Sequence, residues 1–309
     1  MKRIFPIILF VAIAANKSNA QGCSDAGVCT IHAIKNNTAA GNDKKEQDND
    51  ISIGFAFGKG ERSTSVYTPY IEYTRSITEQ TSATARISFS AVSGELANTA
   101  GLGDLFVSVN HAIDSKKKWQ KSFVIGLKIP FDRADIVEKG IHLPMPYQTS
   151  LGTTDLVLGL SYIRQSFGAT VALQQPLKKM NGNRFLPTDY PAEPLAAKYL
   201  PGNFFERKGD ALLRFSYNFD LKYSRFSVRP SLLGIYHLGN DSYQDMNKMR
   251  IEIPNSNGLT LNGIVFVGYE LNKTSALELS AGAPFVVRDN RPDGLTRSFV
   301  ASIEYKFSF

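Results

Sequence analysis

The sequence predicts an all-β fold, a transmembrane antiparallel up-and-down β-barrel of about 12 strands over residues 51–309. Three observations predict it. Apolar and polar side chains alternate with period two from Ile51 to Phe309, the pattern of strands with one apolar and one polar face. Most alternating runs reach ten residues or more, against ~5–6 in a typical globular strand; a tilted strand needs ~9–11 to cross a bilayer. The connections sort by parity into short and long, as in barrels with tight turns at one end and long loops at the other.

The strands fall near 51–59, 64–77, 81–91, 103–113, 119–129, 153–165, 167–176, 208–220, 223–238, 258–271, 275–284 and 295–309. The last is the clearest. Leu295, Arg297, Phe299, Ala301, Ile303, Tyr305, Phe307 and Phe309 share one face, and Thr296, Ser298, Val300, Ser302, Glu304, Lys306 and Ser308 the other. The first has Ile51, Ile53, Phe55 and Phe57 opposite Ser52, Gly54, Ala56 and Gly58. Connections after the even strands are tight, for example 78–80 and 272–274. Those after the third, fifth, seventh, ninth and eleventh are long, at 92–102, 130–152, 177–207, 239–257 and 285–294; the first loop, 60–63, is the short exception. An even strand count returns both termini to the short-turn, periplasmic end.

Residues 1–50 are expected to lie outside the barrel. Lys2 and Arg3, the apolar run Phe5 to Ala15 and the small residues of Ser18-Asn19-Ala20 form a secretory signal peptide over 1–20, cut after Ala20. A retained anchor is the alternative, as is a lipoprotein with Cys23 lipidated, although Ala20-Gln21-Gly22-Cys23 lacks the usual Leu. Residues 21–50 read as a polar periplasmic segment or linker. Cys23 and Cys29 are expected to form a disulfide after export to an oxidising compartment; a metal site with Asp25 and His32 is the sharper alternative. No stretch of the mature chain reaches 18 apolar residues, so strands and not a helix would do the crossing. The net charge of +7 falls to +4 once Lys2, Arg3 and Lys17 leave, with no basic stripe for nucleic acid.

Candidate functional residues follow from parity. Asp104, Asp155 and Asp210 end the motifs Gly101-Leu102-Gly103-Asp104, Gly152-Thr153-Thr154-Asp155 and Gly209-Asp210, each opening a strand that descends from an outer loop and each facing inward. They either cap their glycine turns or form a rim cluster that attracts or holds a cation. Glu72, Arg86, Lys128, Arg214, Arg225, Arg229, Glu270, Glu278, Glu304 and Lys306 also face inward, where they pair with one another or line a polar path. Twelve strands lie between barrels filled by side chains and open channels, so a narrow or plugged lumen is expected. The two longest loops carry Tyr147, Phe185, Tyr190, Tyr199, Phe204 and Phe205 with many of the prolines, which predicts an ordered lid that either binds an apolar molecule or caps the barrel.

Outward-facing Tyr73, Trp119, Tyr162, Phe219, Tyr269 and Phe307 gather near the short-turn end as an interfacial girdle. The Tyr305-x-Phe307-x-Phe309 ending is similar to the signal that barrel-assembly machinery reads. The expected partners are therefore outer-membrane lipid, that machinery and a small-molecule substrate, with no cofactor, metal or nucleic acid; the oligomeric state is not set by the sequence. None of the four histidines sits in a recognisable catalytic arrangement, so the chain reads as a non-enzyme, with His142 and His237 the residues a barrel hydrolase would need.

The motifs at 101–104 and 152–162, together with Gly258-Leu259-Thr260-Leu261-Asn262, Glu278-Leu279-Ser280, Pro284-Phe285-Val286-Val287-Arg288-Asp289 and Arg291-Pro292-Asp293-Gly294-Leu295-Thr296, resemble the family of outer-membrane proteins encoded with meta-pathway phenol degradation. The resemblance covers most of 51–309. It implies transport of aromatic or other hydrophobic compounds, somewhat as in long-chain fatty-acid transporters, although this chain has twelve strands where those have fourteen and shows no N-terminal hatch. The leading expectation is passive uptake of a small molecule through the lumen or a lateral opening; the alternatives are a barrel without transport, acting in envelope structure or adhesion through its loops, and a barrel hydrolase.

Overall fold

The computed structural model describes residues 48–60, 62–114, 119–190, 192–221, 224–294 and 297–309. The expected signal peptide, the Cys23–Cys29 pair with its metal alternative, and most of the 21–50 segment lie outside them.

The chain forms a closed antiparallel barrel of 12 strands. They are β1 (Asn49–Gly60), β2 (Ser65–Ser76), β3 (Thr81–Ser93), β4 (Asn98–Asp114), β5 (Trp119–Pro130), β6 (Thr154–Arg164), β7 (Phe167–Lys178), β8 (Asp210–Tyr217, continued by Phe219–Asp220), β9 (Phe226–His237), β10 (Gly258–Glu270), β11 (Ser275–Val286) and β12 (Arg297–Ser308). Each pairs with its sequence neighbours, and β12 closes on β1 from Asp50↔Ser308 to Gly60↔Arg297. At the terminal end the N–H of Asn49 donates to the carbonyl of Phe309 (3.1 Å) and the Phe309 N–H donates back (2.9 Å), so the last residue takes part in closure. No helix among the described residues is long and apolar enough to cross a membrane; the strands of this barrel are a different matter.

Burial is inverted relative to a water-soluble domain. On β1, Asp50, Ser52 and Ala56 are buried whereas Ile53 and Phe55 are 57% and 43% exposed. The same holds around the barrel, where Ile71, Leu160, Val171, Leu213, Leu232, Leu279 and Ile303 all face outward and exposed. A continuous apolar belt of this kind has no place on a protein surrounded by water.

One expected loop is absent. The sequence placed a long connection at 92–102, but β3 runs on to Ser93 and β4 starts at Asn98, leaving a four-residue turn at 94–97. The extended walls are held by a neighbouring loop: Thr99 is buried and its Oγ1 donates to the carbonyl of Tyr147 (2.7 Å). The long connections are therefore 131–153, 179–209, 238–257 and 287–296.

Among the described residues, β11 and β12 pair from Ser275↔Phe307 to Gly282↔Val300. Beyond it, β11 pairs with β10 (Asn262↔Pro284, Leu261↔Val286) and β12 with β1 (Lys59↔Phe299). Pro284 has no N–H to give the ladder, and Phe285 follows on the outer face, 63% exposed.

Candidate functional site

The loop end of the interior is built from charge. Lys128 on β5 lies 3.2 Å from both Asp104 on β4 and Asp155 on β6. Asp155 accepts a hydrogen bond from Gln174 on β7 (2.6 Å) and faces Arg207 of the 179–209 loop at 3.7 Å. Arg207 pairs with Asp210 on β8 and stands 3.8 Å from Asp293 of the 287–296 loop. Asp210 bonds His237 Nδ1 (2.7 Å), His237 Nε2 bonds Asp241 (2.8 Å), Asp241 faces Arg288 (3.6 Å), and Arg288 returns to Asp293. Six consecutive strands, β4 to β9, and three long loops thus share one buried lattice; Ser150 of a fourth loop donates to Asp104. Burial alone would push the Asp293 carboxyl up, but the Arg288 and then the Arg207 guanidinium hold it below the usual carboxylate range. Burial would likewise lower Arg207, and the surrounding carboxylates, Asp210 first, outweigh this and keep it protonated.

Asp104, Asp155 and Asp210 are brought together by shared partners, Lys128 between the first two and Arg207 between the last two. The glycines before them serve close approach: a Cβ at Gly209 would lie 2.9 Å from the Gln174 carbonyl, and one at Gly103 3.4 Å from that of Thr149. Arg207, Asp241, Arg288 and Asp293 were missed because their partners come from other loops. Among the described residues, no group of three or more His, Cys, Asp or Glu side chains is arranged to hold a metal ion.

Above the lattice the loops form a cap that dips into the barrel mouth. Val66 and Val92, inward residues of β2 and β3, pack with Leu143, Tyr147, Phe185, Ala196 and Tyr199 of the loops. A second cluster joins Ala134, Met145, Leu151, Phe205 and Ile253. Buried Asn183 ties them, its Nδ2 donating to the carbonyls of Ala134 (2.7 Å) and Leu143 (3.0 Å). Gly294 (φ +69°) presses on this cap so closely that a Cβ would meet the Pro146 nitrogen at 2.5 Å. Of the aromatic lid candidates, Tyr147, Phe185 and Phe205 are cap core, Tyr190 stacks on Phe185 (6.0 Å), and Phe204 alone lies exposed.

The middle of the interior is apolar on one side. Val124 (β5), Ala172 (β7), Leu212 (β8), Leu233 and Ile235 (β9), and Ile264 and Phe266 (β10) form one buried cluster. Toward the short turns the wall becomes charged again. Arg229 lies 4.6 Å and Arg214 5.3 Å from the Phe266 ring centroid, and Arg229 pairs with Glu278 (3.3 Å). On the adjoining strands Arg86 sits 3.5 Å over the Tyr70 ring, and the Tyr70 hydroxyl donates to Glu304 (2.7 Å), which stands opposite Glu278 in register. Glu270 has inward parity but lies exposed at the turn end of β10, apart from these groups.

The outer face at the short-turn end carries Tyr73, Trp119, Tyr162, Phe219, Tyr269 and Phe307. Trp119 packs on Tyr162 (5.1 Å) and Tyr269 on Phe226 (4.5 Å). His237 has both ring nitrogens committed to carboxylates, so neither remains to act on a substrate, and the ring of His142 bonds Asp135 (2.8 Å).

In sequence, no family model and no curated protein matches the chain. In structure, the chain is similar to the COG4313 outer membrane channel from Pseudomonas putida F1, with a TM-score of 0.59, 11% identity, and 88% of this chain and 100% of that one covered. NanC porin (TM-score 0.47, 11% identity, 84% and 98% covered) and KdgM porin (0.45, 6%, 84% and 99%) are also similar, more distantly. At such identities the first likeness shows a shared barrel fold.

Proposed function

We propose that this chain is an outer-membrane channel for a small molecule with apolar character, and not an enzyme. The observation that carries the reading is the inverted burial: an apolar exterior belt around a closed barrel whose interior holds buried charge and one apolar wall. Lipid satisfies the exterior, and closure leaves no sheet edge in hydrocarbon. The apolar wall supports a hydrophobic or aromatic cargo, in keeping with the resemblance to the meta-pathway phenol degradation family. The six aromatic residues at the turn end fit an interfacial girdle, and Phe309 fits recognition by assembly machinery. Lipid, that machinery and the cargo are the partners of this reading.

The ordered cap favours a second reading, a closed envelope barrel without transport. Proteoliposome swelling with a small neutral sugar such as arabinose separates the two. The channel reading expects entry above that of protein-free vesicles; no entry, and none with the cap unlatched by Arg207→Ala, would leave the envelope reading. Outer-membrane fractionation of the expressed protein tests the location, and recovery in a detergent-free soluble fraction would overturn it.

A further inference from the structure

The inward side chains differ between the two sides of the barrel. On the side of β5 to β10 they are bulky and buried, as in the cluster that holds Val124, Leu212, Leu233 and Phe266. On β2, β3, β11 and β12 they are smaller and more polar. Thr68 and Ser88 share parity with buried Tyr70 and Arg86, and Ser302 with buried Glu304, so all three point inward, yet each remains partly exposed. Ser280 stands opposite Ser302 in register and is partly exposed as well, the two hydroxyls 2.7 Å apart. Toward the short turns the side chains of Glu72 and Glu278 are 15% and 24% exposed. Between these strands, the middle of β1 turns only Gly54, Ala56 and Gly58 inward.

A side chain inside a closed barrel reaches solvent only through the lumen. The partly exposed hydroxyls therefore mark where the lumen keeps free space, and the buried apolar cluster marks where it is filled. Interior side chains just fill a barrel of eight strands, so one of twelve has room left over on one side. A cavity marks the loop end of that same side. It lies between the wall and the docked cap, has a volume of about 20 Å³, and is lined by Val66 and Ser90 from β2 and β3 and by Gln148, Thr149, Ser150 and Asp293 from the loops. That is room for about one water molecule.

We propose that water and small polar solutes cross the barrel along this one side, entering beside the cap at Ser90 and passing Ser280 and Ser302 toward Glu72 and Glu278 at the short-turn end. Hydroxyl groups along such a path replace part of the hydration shell that a solute gives up in a narrow pore. The apolar cluster opposite is packing, and no water passes over it. The inference rests on the channel reading and adds the route to it, whatever further cargo the channel takes.

Thiol labelling during conductance measurements in planar bilayers tests it. The full chain carries Cys23→Ser and Cys29→Ser, so that one introduced thiol stands alone, and the probe is the cation trimethylammonioethyl methanethiosulfonate. Ser90→Cys and Ser302→Cys report the two ends of the route, and Ala172→Cys reports the apolar cluster. Labelling at either serine position should roughly halve the conductance, because the added group narrows the path, and the Ala172→Cys protein should conduct as before. Labelling confirmed by mass at both serine positions with unchanged conductance overturns the inference, as does failure of both thiols to react, or an equal loss in the Ala172→Cys protein. In each of these cases a conducting parent leaves the channel reading standing. A parent that neither conducts nor admits arabinose overturns both.

Discussion

The two ends of the barrel interior are held together in different ways. At the short-turn end, polar partners sit on neighbouring strands: Glu72 opposes Arg86 in the β2–β3 register, and Lys306 on β12 reaches Asp50 on β1 (3.0 Å). At the loop end, partners come from distant parts of the chain. Asp293 meets Arg207, and Ser150 meets Asp104. The first arrangement needs only the strand pairing and would survive any rearrangement of the loops. The second exists only while the loops are docked, so it acts as a latch on the cap. Charge buried on both ends thus does two jobs, bracing the wall at one and fastening a separate layer to it at the other.

Breaking the latch is the strongest test of this contrast. Arg207→Ala leaves Asp155, Asp210 and Asp293 buried without their central cation, at a cost of about 3–5 kcal/mol. Hydrogen exchange over 179–209 should accelerate strongly while the strands stay protected. Unchanged exchange in those loops would show that the lattice does not fasten them. If the protein is a channel, its conductance in planar bilayers should rise in the same variant.

Acid should reach the same end by another route. Asp293 has its carboxyl held below the usual range in the folded protein. Its contribution is therefore complete above the unfolded carboxylate pKa of ~3.9, and is lost as the pH falls through its lowered folded value. Protease sensitivity of the cap should rise below about pH 4, before the barrel unfolds; a cap that resists protease down to the pH of global unfolding contradicts this.

The turn end is probed by Tyr70→Phe, which takes a buried donor from Glu304, a loss of about 1.5–3 kcal/mol. Here the barrel should melt earlier with the cap undisturbed, the reverse of the Arg207 variant. The smallest effect is expected of Tyr147→Phe. Its hydroxyl accepts from the Leu96 N–H (3.0 Å) and bonds the Tyr199 hydroxyl (2.9 Å), so its removal should cost about 1 kcal/mol, read as modestly faster exchange at 94–97. Exchange there equal to the wild type would place those contacts outside the energetics of the cap.

The barrel itself was legible in the residues. Alternation is a local property, because the pleat sends successive side chains to opposite faces whatever else the chain does. Once Ile53, Phe55 and Ile303 fall on one face and Ser52 and Glu304 on the other, inside and outside follow. The inward parity of Asp104, Asp155, Asp210, Arg214 and Arg229 was legible for the same reason, and the Gly–Asp motifs marked the start of the rim. The extent of β3 and β4 was not, since residues 92–93 and 98–102 continue the wall where Tyr147 of a distant loop bonds Leu96 and Thr99.

Strand count, register parity and the facing of each side chain were thus set by the sequence alone. The fastening of four loops to six strands and the burial of Tyr147, Phe185 and Phe205 as a cap core were decided only in three dimensions. The physical reason is range. Facing depends on neighbours two residues away, whereas Asp104 and Asp293 share one lattice through a closure that no local pattern records.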